Sequence, residues 1–355
     1  GALAPSAARL LPGSAAIAIC VRGRLRLAAS ICVLRHSRMP SAVWTMLAAA
    51  FAPDRRALTL GTCCVCAGAA LVLSHRGGRR LRMSAADNNL HLGSAHIRRR
   101  HVLETTADSF AFGGVRPIVD EHAVVAPRRA VSRASALSDA EWLDLWRCVR
   151  RAQAGAEARR DSVASNLLMT DGTEHIHVHV VPRLAEPPDF PKNDMVFDAM
   201  QSWAPTDELA AAMVRPKLVV PPDEARRDRT DAQMAEEAAT YRARLGGAAA
   251  PDDFVFGRFP IKSEHIFYAT PSTVAFVNLR PLVPGHVLVT PRRTTPRTAE
   301  LSADEFDDLV LTARRVAAVV EATHPGTAGC ELGVQDGKVA GQSVPHVHVH
   351  LLPRK

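Results

Sequence analysis

Two stretches of the chain carry the same alternation of histidine with aliphatic residues. Residues 175–181 read HIHVHVV, and residues 346–352 read HVHVHLL. In an extended strand successive side chains point to opposite faces, so each triplet would place its imidazoles on one face, about 7 Å apart, and its aliphatic side chains on the other. A pattern that constrains both faces of a strand and occurs twice predicts two copies of one folding unit.

The repetition extends well beyond the histidines. When the second half is shifted back by 164 residues, it aligns with the first half without gaps from about residue 90. The matched pairs include Gly93 with Gly257, Phe112 with Phe276 and His122 with His286. The middle histidines, His177 and His348, are 171 residues apart, so the first copy is seven residues shorter than the second before its triplet.

A row of three imidazoles supports three interpretations. It can bind a metal ion, usually Zn²⁺, with one coordination position left open. It can be a buried structural row, although adjacent histidines bury poorly without partners. Alternatively, one histidine can be a nucleophile while the others polarise or protonate the reacting group. The triplet alone leaves all three open.

The residues before the second triplet favour phosphate chemistry. Residues 335–345 read QDGKVAGQSVP, and they supply glycines, glutamines and a serine whose backbone and side-chain donors can surround phosphate oxygens. The segment holds one carboxylate, Asp336, and no thiolate. Phosphate chemistry at a histidine therefore fits this segment better than a metal site does.

The first copy lacks the corresponding segment. Eleven steps along the chain lead from Gln335 to His346, whereas five lead from the matching Thr170 to His175. The acidic Glu174 directly precedes the first triplet, where it would repel a polyphosphate. We therefore predict a degenerate site in the first copy. Its residues are His175, His177 and His179.

Hydrophobic periodicity predicts an α+β architecture for each copy. The predicted strands of the second copy are residues 274–277, 286–290, 331–334 and 347–352. Residues 303–322 carry a helical apolar stripe that follows a capping Ser302, and the first copy repeats this helix near residues 139–158. Strands that flank one long helix predict a mostly antiparallel sheet of about five strands. Trp142 and Trp146 are expected in the core, rather than stacked on a nucleotide.

The second copy resembles the histidine triad (HIT) superfamily. The resemblance rests on residues 340–350 (AGQSVPHVHVH) and 276–289 (FVNLRPLVPGHVLV), and it covers residues 254–355 almost without a gap. Within the superfamily it is most similar to the fragile-histidine (Fhit) branch of diadenosine polyphosphate hydrolases. The resemblance implies two HIT-like domains, in which a dinucleoside polyphosphate such as diadenosine triphosphate is cleaved to AMP and ADP.

The resemblance also implies a role for each matching residue. His348 is expected to be the nucleophile that forms a nucleotidyl-histidine, His350 to contact phosphates near the leaving group, and His346 to orient the nucleophile. The expected binding residues are Asn278, Gln335, Gly341, Gln342, Ser343, Val344 and His350, with Phe256 and Ile261 beside the base. A family histidine is Phe259 here, so one polar contact is expected to be lost. No metal is expected on the protein, and Mg²⁺ only in association with the substrate.

The chain divides into four predicted segments. They are a leader (1–85), a degenerate HIT-like domain with a C-terminal tail helix (86–245), a linker (246–253) and an intact HIT domain (254–355). The tail, from residues 190–197 to a helix predicted over 230–245, resembles the Fhit C-terminal segment, and no such segment follows the second triplet. Either the two halves complement each other, or the chain is an incomplete gene product. Because family members form homodimers, we expect a pseudo-dimer within the chain, with a homodimer of two chains as the alternative.

The leader carries the positive charge of the chain. Residues 1–85 hold twelve arginines, no lysine and one acid, a net charge of +11, whereas the whole chain carries +8, which leaves about −3 for the domains. Nucleic-acid binding by the domains is therefore not expected. The leader resembles an organelle transit peptide, and residues 57–74 form an uncharged run that is marginal for a membrane anchor. A plastid or mitochondrial location follows if the leader is genuine, and a cytoplasmic one if translation starts at Met83.

Two other functions remain open at this point. The chain can be a nucleotide-binding signalling module in which turnover is slow and the complex with the bound nucleotide is the functional state. It can also be another HIT-superfamily hydrolase or transferase. The phosphoramidase branch shares residues 341–344 but not 278–281, and the uridylyltransferase branch has a glutamine where this chain keeps a histidine.

Overall fold

The computed structural model describes residues 89–186, 188–212, 218, 220–246 and 252–355. The predicted leader, with its apolar run at residues 57–74, lies outside the described residues, as does most of the predicted linker. In the part of the chain that is described, no helix combines the length and the apolar character needed to span a membrane.

The first half alternates short strands with one long helix. Its strands are β1 (Leu90–Leu92), β2 (Ala95–Ile97), β3 (Val102–Thr105), β4 (Ser109–Gly113), β5 (Ala123–Pro127), β6 (Ala164–Thr170) and β7 (Val178–Arg183). The long helix α1 (Asp139–Arg160) lies between β5 and β6 and begins at a capping box in which Ser138 and Glu141 bind each other's backbone N–H groups.

A segment rich in short helices follows β7, and we call residues 190–245 the tail segment. Its helices are α2 (Met195–Gln201), α3 (Asp207–Ala212) and α4 (Asp231–Arg244). Thr230 and Gln233 form a capping box at the start of α4, because a hydroxyl and an amide side chain three residues apart can satisfy each other's backbone N–H groups. The helix predicted over residues 230–245 is therefore present.

The second half repeats the first. Its elements are β8 (Phe254–Phe256), β9 (Phe259–Ile261), β10 (Ile266–Ala269), β11 (Thr273–Val277), β12 (Val287–Pro291), α5 (Ala303–Thr323), β13 (Gly329–Asp336) and β14 (Val349–Arg354). The predicted cap of the long helix is confirmed, since Ser302 and Glu305 form a capping box. Phe306 and Leu309 of α5 are buried, as the predicted apolar stripe requires.

The strand predicted over residues 347–352 begins two residues later in the structure. Strand β14 begins at Val349, so only His350 belongs to it. The reason is that the residues before it hydrogen-bond to a loop: the Val347 N–H donates to the Thr295 carbonyl at 2.7 Å. The first triplet behaves in the same way, because β7 begins at Val178.

Ten of the described strands form one sheet. Their order is β10-β11-β12-β14-β13-β6-β7-β5-β4-β3, and neighbouring strands are antiparallel throughout. Each half contributes five strands, and the halves join where β6 pairs with β13, with Thr170 opposite Glu331. The predicted α+β class, with a mostly antiparallel sheet of about five strands and one long helix in each copy, is confirmed.

The contacts between the halves are reciprocal under the 164-residue shift. Arg150 donates to the carbonyl of Leu301 at 2.5 Å, and its counterpart Arg314 donates to the carbonyl of Leu137 at 2.9 Å. Reciprocal pairs of this kind are typical of isologous contacts between related units. The further expectation, that this pairing reproduces the homodimer of family members, stays a prediction.

The two long helices pack together over the sheet. Trp142 of α1 is fully buried, and its Nε1–H donates to the carbonyl of Val310 in α5 at 2.8 Å. Trp146 is also buried, with its ring centroid 5.7 Å from that of Trp142. Both tryptophans are core residues, as predicted. A tryptophan buries about 200 Å², so each contributes up to about 5 kcal/mol of hydrophobic stabilisation.

Candidate active site

His348 is held as a neutral ring with one nitrogen available. Its Nδ1 lies 2.7 Å from the carbonyl oxygen of His346, and because a carbonyl only accepts, Nδ1 carries the proton. The other nitrogen, Nε2, therefore keeps its lone pair. Burial lowers the pKa of His348 to about 4, so the ring is uncharged at neutral pH. This is the state that a nucleophilic imidazole requires.

Both ring nitrogens of His346 are hydrogen-bonded. The backbone N–H of Gly257 donates to its Nδ1 at 3.3 Å, so Nε2 carries the proton and donates to the carbonyl of Pro291 at 2.8 Å. Burial also lowers the pKa of His346. Because this ring is fixed on both sides, the backbone carbonyl that orients His348 is fixed as well.

The third histidine, His350, belongs to a directional relay. The backbone N–H of Leu282 donates to Nδ1 of His286 at 3.0 Å, so the proton of His286 sits on Nε2 and is donated to Nδ1 of His350 at 3.1 Å. The proton of His350 must then lie on Nε2. That nitrogen is buried and has no hydrogen-bond partner among the described residues. It is therefore an N–H group available to a phosphate oxygen.

His286 was not among the site residues predicted from the sequence. Burial lowers the pKa of His286 to about 3 and that of His350 well below its usual value, so the relay stays neutral and its protons keep their order. The signal was present in the alignment of the copies, since both keep a histidine here, His122 in the first and His286 in the second.

The loop before the second triplet has the backbone shape that its glycines allow. Gly341 has φ +93°, and a Cβ placed on it would come within 2.8 Å of the Gln335 amide nitrogen. Gln342 turns its side-chain amide to the carbonyl of Pro296 at 3.0 Å. The loop is thus pinned at Gln342, while Gln335 lies directly against its glycine.

The loop is also held by the first copy. The side-chain amide of Asn166, on β6, donates to the carbonyl of Ala340 at 2.9 Å, and Arg183 donates to the Asn166 oxygen at 2.7 Å. All three groups are buried. The predicted phosphate loop of the second copy is therefore braced by strands of the first.

A cavity of about 570 Å³ opens beside His350. Four of the predicted site residues line it, namely Asn278, Gln335, Ser343 and His350. The side-chain oxygen of Asn278 accepts the backbone N–H of Arg280 at 3.0 Å, which fixes the side chain at the cavity wall. The other predicted residues, including the nucleophile His348, do not line this cavity.

The apolar residues predicted beside the base form a cluster on the other side of the triad. Phe256 packs its ring edge against His348, with centroids 5.1 Å apart and ring planes nearly perpendicular. Ile261 and Val344 belong to the same cluster. Phe259, which stands in place of a family histidine, is 45% exposed and carries Arg258 over its ring. It therefore adds no polar contact to the cluster.

The first triad keeps the same hydrogen-bond network. The backbone N–H of Ile118 donates to His122 Nδ1 at 3.3 Å, and His122 Nε2 lies 3.1 Å from His179 Nδ1. His177 Nδ1 lies 2.8 Å from the carbonyl of His175. Both copies thus fold their histidines in the same way.

The face of the first triad is covered by Trp203 of the tail segment. The Trp203 ring lies 5.9 Å from that of His177 and 5.1 Å from that of His179, between ring centroids. Trp203 is buried, and its Nε1–H donates to the carbonyl of Arg116 at 2.8 Å. Trp203 was not predicted from the sequence, because it lies outside the aligned parts of the two copies.

Glu174 adds a second difference between the triads. A Cβ on Gly93 would lie 2.9 Å from the Glu174 carboxylate, whereas a Cβ on the matching Gly257 would lie 2.5 Å from the side chain of Val344. The first copy therefore presents a carboxylate against the glycine where the second copy presents an apolar side chain.

One group of possible metal ligands occurs within the described ranges, and it is not at the triad. Asp231, Glu264 and His265 bring one ligand atom each within 4.8 Å of one another. Two of the three residues are exposed, and Asp231 already binds Lys262 at 2.5 Å. This group has the character of a surface ion-pair cluster. The expectation that the protein holds no metal stays a prediction.

Comparison with known proteins identifies the repeated unit. The family model described as HIT domain matches residues 97–186 and 261–355. The chain is 53% identical over 102 residues to the bifunctional bis(5'-adenosyl)-triphosphatase/adenylylsulfatase FHIT of Arabidopsis thaliana, which covers 29% of this chain and 56% of that protein. It is 48% identical over 105 residues to the asymmetrical bis(5'-nucleosyl)-tetraphosphatase of Schizosaccharomyces pombe. This match covers 30% of this chain and 57% of that protein.

A solved structure gives a similar match. The crystal structure of the Caenorhabditis elegans NitFhit protein is 48% identical with a TM-score of 0.28, over 29% of this chain and 25% of that one. The chain spans little more than half the length of the Arabidopsis and fission-yeast relatives. The resemblance predicted from the second triplet and its loop is confirmed. Because the two matches together cover more than half of its length, the chain belongs to the HIT domain family, as two tandem copies.

Proposed function

We propose that this chain is a dinucleoside polyphosphate hydrolase that acts through a covalent nucleotidyl-histidine at His348. One observation carries the proposal: the second triad brings a neutral His348, with a free lone pair, next to a His350 N–H group at the wall of a cavity of about 570 Å³. The names of the relatives, a bis(5'-adenosyl)-triphosphatase and a bis(5'-nucleosyl)-tetraphosphatase, support the substrate class.

The first step is a displacement at phosphorus. The lone pair on His348 Nε2 attacks the α-phosphorus, the bond from that phosphorus to the bridging oxygen breaks, and ADP leaves from diadenosine triphosphate. The N–H group of His350 stabilises the negative charge that develops on the departing phosphate oxygen. The relay through His286 keeps that proton in place, because its own pKa is lowered to about 3. Alignment and charge stabilisation are the main requirements of such a step.

The second step regenerates the ring. Water attacks the same phosphorus, the bond to His348 Nε2 breaks, AMP is released and the proton of the water passes to solvent. Dividing one displacement into two lowers each barrier, and the histidine ends in its starting protonation state. In this proposal Asn278 binds the ribose, Ser343 and the glycine-containing loop bind the α-phosphate, and Phe256 with its neighbouring apolar residues contacts the base.

We further propose that Mg²⁺ enters with the substrate and that the protein holds no resident metal. The cavity wall includes two exposed carboxylates of the tail segment, Asp194 and Asp198. A bare triphosphate would be repelled by them, and a magnesium-bound one would be repelled less, since the cation offsets part of its charge. Activity on diadenosine triphosphate should therefore rise with added Mg²⁺ and fall with EDTA.

Product analysis tests the proposal. Wild-type protein should convert diadenosine triphosphate to AMP and ADP, and diadenosine tetraphosphate to AMP and ATP. An alkaline quench during turnover should trap an adenylyl group on the ring of His348, detected by peptide mass spectrometry. Rapid turnover without such an adduct, under conditions that preserve phosphorus–nitrogen bonds, would contradict the mechanism. Tight binding with turnover at background would instead favour the nucleotide-binding signalling module.

A further inference from the structure

The tail segment of the first copy is anchored on the site of the second copy. The backbone N–H of Arg229 donates to the carbonyl of Leu279 at 2.9 Å, and its guanidinium Nε donates to the carbonyl of Asn278 at 2.9 Å. Asp228 pairs with Arg280 at 2.8 Å. The end of the tail segment is therefore fixed on the loop that carries the predicted ribose-binding residue.

The start of the tail segment touches the opposite side of the same site. A Cβ placed on Gly341 would lie 3.4 Å from the Asn193 Cβ, so Asn193 lies against the phosphate loop. The Gln201 amide donates to Glu331 of β13 at 3.1 Å. The tail segment thus contacts both the phosphate loop and the ribose loop, and Phe197 and Val220 line the cavity between them.

The charged groups at the cavity wall come from both copies. Of the charged groups of the second copy there, Arg280 is paired with Asp228, and Glu331 is paired with Arg354 at 3.1 Å. The tail segment brings one cation to the wall, the half-buried Arg226, and the exposed carboxylates of Asp194 and Asp198.

Arg226 lies close to the relay that ends at His350. It lines the same cavity as His286 and His350, and its positive charge is one of the causes that lower the pKa of His286, after burial, His348 and Arg229. The His350 N–H group faces the departing phosphate in the proposed reaction. A cation on this side of the cavity is therefore placed near the leaving group and away from the base.

We propose that Arg226 is a substrate-binding residue of the second site and that it contacts the phosphates of the leaving group. The first copy, whose own triad is predicted to be degenerate, then supplies the residue that makes the second copy selective for long anionic leaving groups. This inference rests on the proposed function. Arginine suits the role, because its guanidinium stays charged and binds phosphate oxygens in a planar, two-point geometry.

The neighbouring arginine offers a matched control. Arg227 is exposed and donates to the carbonyl of Glu224 at 2.7 Å, and it does not line the cavity. Arg226→Ala and Arg227→Ala remove the same charge from adjacent positions. The assay compares diadenosine triphosphate with adenosine 5'-phosphorimidazolide, which transfers the same adenylyl group but releases uncharged imidazole.

The expected result is selective. Arg226→Ala should lower kcat/KM for diadenosine triphosphate by about 10- to 100-fold, the range for loss of a charged hydrogen bond. It should change kcat/KM for the imidazolide less than about twofold. Arg226→Lys should keep part of the activity because the charge remains, and Arg227→Ala should match wild type on both substrates.

Each of the other outcomes contradicts the inference. The outcomes also distinguish failure of the inference from failure of the proposed function. If wild type turns over the triphosphate and Arg226→Ala does too, at the same rate, the inference is wrong and the hydrolase proposal stands. Equal losses on both substrates would assign Arg226 a structural role only, which also contradicts the inference. If wild type neither binds nor cleaves either substrate, both proposals fall. Thermal unfolding checks the fold, and Arg226→Gln replaces the alanine variant if that one is unfolded.

Discussion

The two histidine triads of this chain share a hydrogen-bond network and differ in what lies over them. In both, a backbone N–H group fixes a helper histidine (His122 or His286), which fixes the last histidine of the triplet. Trp203 covers the first triad, whereas the second lies beside a cavity of about 570 Å³. The arrangement of the imidazoles is therefore a property of the fold, and competence for chemistry depends on the loops around it.

The same tail segment produces both outcomes. Trp203 covers the triad of the first copy, which is the copy that the tail segment follows in sequence. Arg226, near its end, lines the cavity of the other copy. One connection thus covers the triad that lacks the predicted phosphate loop and lines the cavity beside the triad that has it.

The largest difference is expected between substitutions of the two middle histidines, His348 and His177. His348→Asn should lower turnover of diadenosine triphosphate by about 1,000-fold or more, because the attacking nitrogen is lost. His177→Asn should change turnover less than about twofold, since its ring lies under Trp203. Steady-state kinetics with circular dichroism as the fold check measures both. Equal losses in the two variants would show that the triads are not functionally distinct.

Removing the Trp203 ring from the first triad is expected to lower stability and to leave activity unchanged. Trp203→Ala deletes a buried ring and should lower the free energy of unfolding by about 3 kcal/mol or more, measured by urea denaturation. Trp203→Phe, which keeps most of the packing, should lose less.

The same substitution also tests the assignment of the first copy as degenerate. In a His348→Asn background, Trp203→Ala should restore no turnover, because the first copy still lacks a phosphate loop. Recovery of hydrolysis in this double variant would mean that the Trp203 ring, and not the missing loop, prevents activity at the first triad.

The phosphate loop provides the next comparison. Gly341→Ala forces a side chain onto a residue with φ +93° and pushes the Gln335 amide aside, so kcat/KM should fall about 10-fold or more. Gly326→Ala meets comparable backbone strain, with φ +82°, but its Cβ would meet no atom within 4 Å. Both variants should lose about 1–2 kcal/mol of stability. A loss of activity in Gly326→Ala equal to that in Gly341→Ala would contradict a specific role for this loop.

The last comparison concerns pH, and the contributions of His122 and His286 to the pH dependence of stability should be equal. Burial lowers the pKa of both His122 and His286 to about 3. The unfolded chain takes up protons on these histidines below about pH 6.5, before the folded chain does, so stability is lost as pH falls from there toward 3. Each group contributes about 1.4 kcal/mol per pH unit within this window. His122→Asn and His286→Asn should each reduce that slope, as seen in urea unfolding between pH 7 and pH 5.

Activity should respond to pH through the second copy alone. The pKa of His348 is lowered to about 4, so the reactive neutral ring persists down to about pH 5 and is lost below it. The profile of kcat/KM should therefore be flat on its acidic side until about pH 5 and then fall. A break near 6.5 would mean that the ring is solvated in the working enzyme.

Much of the fold can be predicted from local sequence patterns. The 164-residue repeat, the capping residues Ser138 and Ser302, and the apolar stripes of the two long helices all follow from such patterns, because helix caps and side-chain periodicity depend on near neighbours in sequence. The triplet and its glycine-containing loop lie within sixteen residues of one another, so the centre of the candidate site could be predicted as well.

The sequence by itself determined the repeated α+β unit, the family, and which copy has the glycine-containing loop before its triplet. Only the tertiary structure decided that β6 and β13 join the halves into one sheet, that the triplets begin outside their strands, that Trp203 closes one triad and that Arg226 reaches the other. The physical reason is the range of the interactions. Trp203 and Arg226 act on residues far along the chain, through packing and charge, and no local period or cap encodes such contacts.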